Sequence, residues 1–229
     1  PFALSFLLAS EQIKFDPAKK IFAGELALDG TVRPIRGALS IAIAAESGGY
    51  TELYVPEENA DEAALVSDLT ILPVETLGGL LAHLATNKGL KRHVRRVPLR
   101  EREEIGATFD DIRGQESAKR GLEIASAGRH NIALYGPPGT GKTMLARAVT
   151  DILPPLTEAE TIEVTSIHSL VGTLSGGAIT RPPFRSPHHT SSYASLIGGG
   201  STPRPGEVTL AHRGLLFLQQ QAFVLLRAQ

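Results

Sequence analysis

The sequence predicts an α/β protein built in two parts, and three observations carry that reading. Short apolar, β-prone runs alternate with helical stretches up to about residue 86. A cluster of positive charge follows between Lys88 and Arg102. Beyond it an apolar strand, a glycine-rich loop and a helix succeed one another from Asn131 to Ile152, the order found where a parallel sheet holds a phosphate loop. The expected divisions are 1–86 for a first α/β module, 87–108 for a basic linker and 109–229 for a second module with a parallel sheet.

In the first module Ile21–Leu28 is strand-like, Asp29-Gly30 signals a turn, and Thr31–Ile35 can return as a second strand, which together read as a hairpin. After Gly37 an alanine- and isoleucine-rich helix runs to Ser47 and stops at Gly48-Gly49. Glu52–Val55 is a short strand ended by Pro56, Asn59–Val66 a helix, Leu69–Val74 a strand, and Leu77–Ala85 a helix with apolar residues at helical spacing. In the second module the expected elements are a helix Gln115–Ala127, a strand Asn131–Tyr135, a helix from Gly141 to about Ile152, and strands Thr161–Thr165 and Leu215–Leu218. The Gly/Ser/Pro-rich stretch Ser175–Arg204 reads as loop.

Hydrophobic residues make up 42% of the 229 and charged residues 21%, enough apolar surface for a real core, so disorder throughout is excluded. With no cysteine, a disulfide framework and a thiolate metal site are excluded too, and the expectation is a cytoplasmic protein. No apolar run is long enough to cross a bilayer, and Phe2–Ala9 lacks a preceding basic flank, so no membrane or targeting segment is expected. Pro1 in place of an initiator methionine points to missing upstream sequence. The net charge of −1 gives no global attraction to nucleic acid, so DNA would need a local patch. Lys88, Lys91, Arg92, Arg95, Arg96, Arg100 and Arg102 form one; it reads first as a solvated joint and second as a nucleic-acid contact.

The strongest chemical signal is Gly136-Pro137-Pro138-Gly139-Thr140-Gly141-Lys142-Thr143, a complete P-loop between a strand and a helix. Glycines let the backbone turn tightly and aim successive N–H groups at one point, to which the helix adds its positive end. In this reading Lys142 reaches the β and γ phosphates of ATP, and Thr143 gives its hydroxyl to Mg²⁺.

Around that loop the chain resembles the AAA+ ATPases. The segment Phe109-Asp110-Asp111-Ile112-Arg113-Gly114-Gln115 looks like their adenine-side segment, which makes Ile112 and Gln115 adenine candidates. More specifically, the runs Arg181–Thr190, Gly198–Glu207 and Leu210–Leu218 resemble the YifB/ComM family of Mg-chelatase-like proteins, as does the hairpin Gly24–Gly37. The resemblance implies a homo-hexameric ATPase, associated in ComM proteins with DNA branch migration during natural transformation. Two rival functions are a Mg-chelatase motor subunit and a nucleotide-binding module without catalysis. The front module, including Val55–Asn59, also looks like the proteolytic domain of Lon, whose fold resembles domain 2 of ribosomal protein S5. Peptidase activity is not expected, because the place of the Lon lysine is taken by Gly37-Ala38-Leu39-Ser40, and a serine hydroxyl has no basic form near neutral pH.

AAA+ ATPases end the strand equivalent to Leu215–Leu218 with Asp-Glu, whereas this chain has Gln219 and Gln220. A neutral amide is not a carboxylate base, so ATP binding is expected to survive better than hydrolysis. The family's sensors, arginine finger and helical lid are not in this sequence, and the expectation is a chain truncated at both ends. His188-His189 with Glu207 and His212 has no recognised metal spacing, so those residues read as loop packing, with Arg181, Arg185 and Arg204 as phosphate-contact candidates.

Overall fold

The computed structural model describes residues 1–86, 88–94, 108–174, 177–188, 190–199 and 203–218, and the backbone of 223–226. The chain divides into two compact units, Pro1–Pro98 with His168–Ala178, and Leu99–Ile167 with Ile179–Gln229.

The first unit opens with α1 (Phe2–Ala9), β1 (Lys20–Phe22), β2 (Glu25–Leu26) and β3 (Val32–Arg33). It continues with α2 (Ala38–Ser47), β4 (Glu52–Pro56), a 3-10 turn (Glu57–Asn59), α3 (Ala60–Ala63), β5 (Thr70–Val74) and α4 (Leu77–Thr86). The expected hairpin is β2–β3, with Glu25 opposite Arg33 and Leu26 opposite Val32. Asp29 fixes its turn: Oδ1 accepts hydrogen bonds from the Thr31 hydroxyl at 2.7 Å and the Thr31 amide at 3.0 Å, and Gly30 takes φ +85°. The same bonds hold the Asp29 carboxyl below its ordinary pKa. The expected single strand Ile21–Leu28 is instead two. A Cβ on Gly24 would come within 2.6 Å of Val32 Cγ1, so the chain changes partners at a residue without a side chain.

Strands β1, β4 and β5 form a parallel sheet in that order, with Ile21, Leu53 and Ile71 in register. Alternation sends Leu53, Val55 and Ile71 to one face, where they pack with Leu39, Ala42 and Ala45 of α2. Tyr54, Leu72 and Val74 go to the other, against Leu4 of α1 and Leu80 of α4. Part of the expected linker joins this unit. Leu90 packs on the Tyr54 cluster, the His93 amide donates to the Ile71 carbonyl at 2.8 Å, and His93 Nε2 lies 2.6 Å from Asp61 Oδ1. Arg95, Arg96, Arg100 and Arg102 lie outside the described residues.

The second unit holds α5 (Glu116–Gly128), β6 (Ile132–Ala133), α6 (Lys142–Ile152) and most of α7 (Glu158–Val171), whose residues from His168 group with the first unit. Then come β7 (Phe184–Arg185), α8 (Tyr193–Ile197), β8 (Gly198–Gly199), β9 (Arg204–Pro205), α9 (Glu207–Leu210), β10 (Leu215–Leu218) and β11 (Phe223–Leu226). Its core joins Leu122 and Ala125 of α5, Leu145 and Val149 of α6, and Leu215 and Phe217 of β10.

Two expectations for this unit are corrected. Thr161–Thr165, read as a strand from its β-branched residues, lies inside α7. Thr161, Val164, Thr165, His168 and Ser169 are the buried positions, a helical spacing, and Thr157 with Glu160 forms a reciprocal cap at the start. The sheet runs β6-β11-β10-β7; β7 and β10 are parallel and β6 shares their direction, but β11 is antiparallel to both neighbours. β10 ends at Leu218 and β11 begins at Phe223, a separation that serves an antiparallel return and is far too short for a parallel crossover.

Candidate nucleotide-binding site

Strand β6 delivers the chain to Gly136, and the loop runs straight into α6 at Lys142. Gly139 and Gly141 turn it with φ of +82° and +81°, left-handed conformations that suit glycine. The Thr140 hydroxyl donates to the Pro137 carbonyl at 2.9 Å and closes the turn on itself. Pro138 sits exposed at its tip. Lys142 bends back over the loop: Nζ donates to the Gly136 carbonyl at 2.8 Å and the Pro137 carbonyl at 2.7 Å, and lies 3.4 Å from Thr140 Oγ1.

Donors are left over at the start of α6. Gly141 offers no side-chain cap, and the first helical bond runs from the Leu145 amide to the Gly141 carbonyl at 2.9 Å. The amides of Lys142, Thr143 and Met144 therefore have no acceptor among the described residues, and Thr143 is exposed beside them. The loop therefore carries the Lys142 ammonium and the free amides of the first turn of α6 close together in sequence. The donor set fits the phosphates of a nucleotide, and an exposed threonine hydroxyl in that turn fits a cation held with them.

The other expected site residues fall differently. Ile112 is 3% exposed and packs in the core with Leu122 and Leu145, so it supports α5 and α6 from beneath. Gln115 is exposed at φ +60°, immediately before α5. Gln219 and Gln220 lie outside the described residues, as does His189.

Arg185, read as a phosphate-contact candidate, and Glu207, read as loop packing, are joined to each other. The guanidinium donates from Nε to Oε2 at 2.6 Å and from Nη2 to Oε1 at 2.7 Å. Those bonds raise the Arg185 pKa above its ordinary value. Arg147 lies over the Phe184 ring, 5.3 Å from its centroid, next to that pair. Neither pairing carries a spacing signal that sequence could have shown. Arg181 stands 3.9 Å from Asp151, Arg204 is exposed on β9, and His212 lies 3.3 Å from Glu163. Among the described residues no group of three His, Asp or Glu side chains could hold a metal ion.

Residues 108–224 match the family described as Magnesium chelatase, subunit ChlI, and residues 1–59 match Subunit ChlI of Mg-chelatase. Competence protein ComM of Haemophilus influenzae is 41% identical over 225 residues, which is 96% of this chain and 44% of that protein. YifB of Escherichia coli is 41% identical over 224 residues, 96% of this chain and 43% of YifB. The chain belongs to the YifB/ComM family of Mg-chelatase-like proteins. Another similar protein, Rv2897c of Mycobacterium tuberculosis, is 46% identical over 211 residues, covering 91% of this chain and 42% of its own length. The chain thus spans less than half the length of the curated relatives it matches. A shorter likeness of 31% over 121 residues connects it to Lon protease 2 of Bacillus subtilis, 49% of this chain and 22% of that protein. The whole P-loop lies within the ChlI-matching segment. No helix among the described residues is long and apolar enough to cross a membrane.

Proposed function

We propose that this Mg-chelatase-like protein binds ATP with Mg²⁺ at Gly136–Thr143, as an AAA+ P-loop domain. In the assembled protein, a homo-hexamer, the bound nucleotide serves ATP-driven remodelling of DNA. The reading is carried by the uncapped first turn of α6 lying beside the folded-back Lys142 ammonium. Lys142 exchanges two loop carbonyls for phosphate oxygens, the free amides of α6 take the remaining charge, and the Thr143 hydroxyl holds the cation. Magnesium, when bound, neutralises phosphate charge. Gln115, exposed just before α5, is the adenine-side candidate that remains accessible, whereas Ile112 is buried in the core.

Turnover is separate from binding. Gln219 and Gln220 supply no carboxylate to orient water or hold Mg²⁺, which favours a protein that binds nucleotide and hydrolyses it poorly. The DNA reading rests on the name of one relative, Competence protein ComM, and on the basic run beginning at Lys88.

Titration with a fluorescent ATP analogue tests the nucleotide site. Lys142→Ala should weaken binding at least about tenfold, the scale of a lost charge-assisted hydrogen bond, and equal weak binding by both proteins sinks the assignment. Phosphate release at an ordinary AAA+ rate would overturn the hydrolysis-poor reading. A gel shift with single-stranded and branched DNA should be salt-dependent; no retention at low salt removes the DNA role.

A further inference from the structure

The second unit contains a cavity of about 180 Å³ lined by the ends of α5 and α6, the start of α7 and the approaches to β7 and β10. Its position in the fold separates it from the P-loop. Arg129 precedes β6, Pro182 precedes β7, and Arg213-Gly214 precede β10, so the cavity lies at the amino-terminal edge of three strands that share a direction. The P-loop leaves the opposite, carboxyl-terminal end of β6.

One wall is apolar, formed by Leu153–Leu156 and Pro182. The polar groups of the lining are mostly paired. Glu160 Oε2 accepts from the Thr157 amide and hydroxyl, each at 3.0 Å, and Oε1 lies 3.5 Å from Arg213 Nη1. Arg213 is further held by Glu163 at 3.0 Å. Two groups remain without partners. The Arg129 side chain makes no hydrogen bond or ion pair among the described residues, although its charge acts on Glu160. Ser126, 7% exposed, keeps a buried Oγ with no hydrogen bond. Arg129 and Arg213 also sit at φ +55° and +59°, two of the five non-glycine residues with positive φ in the described backbone.

We infer that this cavity is a second ligand site, distinct from the nucleotide loop, for a small organic anion. Its carboxylate or phosphate group meets the Arg129 guanidinium, and its apolar body lies along the proline wall. Glu160 and Arg213, already neutralised by each other and by their neighbours, shape the floor without competing for the charge.

The test is an NMR titration of the full chain carrying Lys142→Ala, so that phosphate affinity at the P-loop is removed. Phenyl phosphate and phenylacetate are the organic anions, and inorganic phosphate is the charge without the apolar body. Saturable shifts at the amides of Ser126, Arg129, Thr157 and Gly214 are expected with an organic anion, and which of the two binds tighter identifies the preferred head group. Arg129→Gln, at an exposed position that should not disturb folding, should weaken that binding at least about tenfold. Arg129→Lys, which keeps the charge but not the planar fork, should fall between the two. The inference is overturned by the absence of shifts through the millimolar range, by shifts confined to residues outside the cavity, by equal affinity for inorganic phosphate, or by unchanged affinity in Arg129→Gln.

Discussion

Asn59 does with one side chain what a neighbouring strand does with its backbone. Its Oδ1 accepts from the Ile35 amide and its Nδ2 donates to the Ile35 carbonyl, both at 2.9 Å, while a third bond reaches Glu62 Oε1 at 2.6 Å. Asn59 and Glu62 are 6% and 8% exposed, so water cannot replace those partners. Asn59→Ala should cost roughly 3 kcal/mol, from lost bonds and stranded buried groups, and a lowered urea midpoint for the first unit would show it. A second residue-scale device is Glu160, whose carboxyl is held below its ordinary value of 4.5 by the Thr157 amide and then the Thr157 hydroxyl. A pKa depressed by folding stabilises the native state above the unfolded value, and that contribution disappears as pH falls through the folded one. Stability of the second unit should therefore decline on acidification below about pH 4.5, and Glu160→Gln should flatten that decline; identical acid profiles in the two proteins would contradict this origin.

At the scale of elements, glycines decide how closely the pieces approach. Gly214 leads into β10, and a Cβ there would collide with the Pro183 carbonyl, the same oxygen that accepts the Leu215 amide at 2.8 Å and sets the β10–β7 register. Backbone cannot move aside as a flexible side chain can, so Gly214→Ala should destabilise the second unit by about 1–3 kcal/mol, read as a lower thermal midpoint. The same scale explains what could be read from sequence. The Asp29-Gly30 hairpin, the helix ended by Gly48-Gly49 and the glycine-rich loop running into α6 were legible because each is specified by residues within one turn of one another. α7 was not, because Thr161, Ile162, Val164 and Thr165 prefer strands locally while burial at Thr161, Val164, Thr165 and His168 rewards a helix. The Arg185–Glu207 fork joins residues 22 apart with no periodicity between them, so only the folded chain shows it. Ile112 was legible as apolar and near the loop, but apolar character alone does not separate a core position from a base-facing one.

For the whole molecule, each unit carries its own core: Leu39, Leu53 and Ile71 belong to one, Leu122, Leu145 and Phe217 to the other. A ligand that binds only the folded second unit stabilises that unit by mass action, about 2.7 kcal/mol at a free concentration a hundred times Kd. The proposed nucleotide site lies wholly in that unit, so calorimetry with Mg·ATP should move its transition upward. The transition assigned to the first unit by its response to Asn59→Ala should stay in place. Lys142→Ala should unfold without nucleotide much as the unsubstituted chain does, because its bonds to Gly136 and Pro137 lie in a surface loop, and should lose the nucleotide-linked shift. If both transitions rise together on adding Mg·ATP, the two cores unfold as one cooperative body and the separation inferred from their packing is wrong. If neither rises, the loop grips no nucleotide under those conditions and the proposed ATP site fails with it.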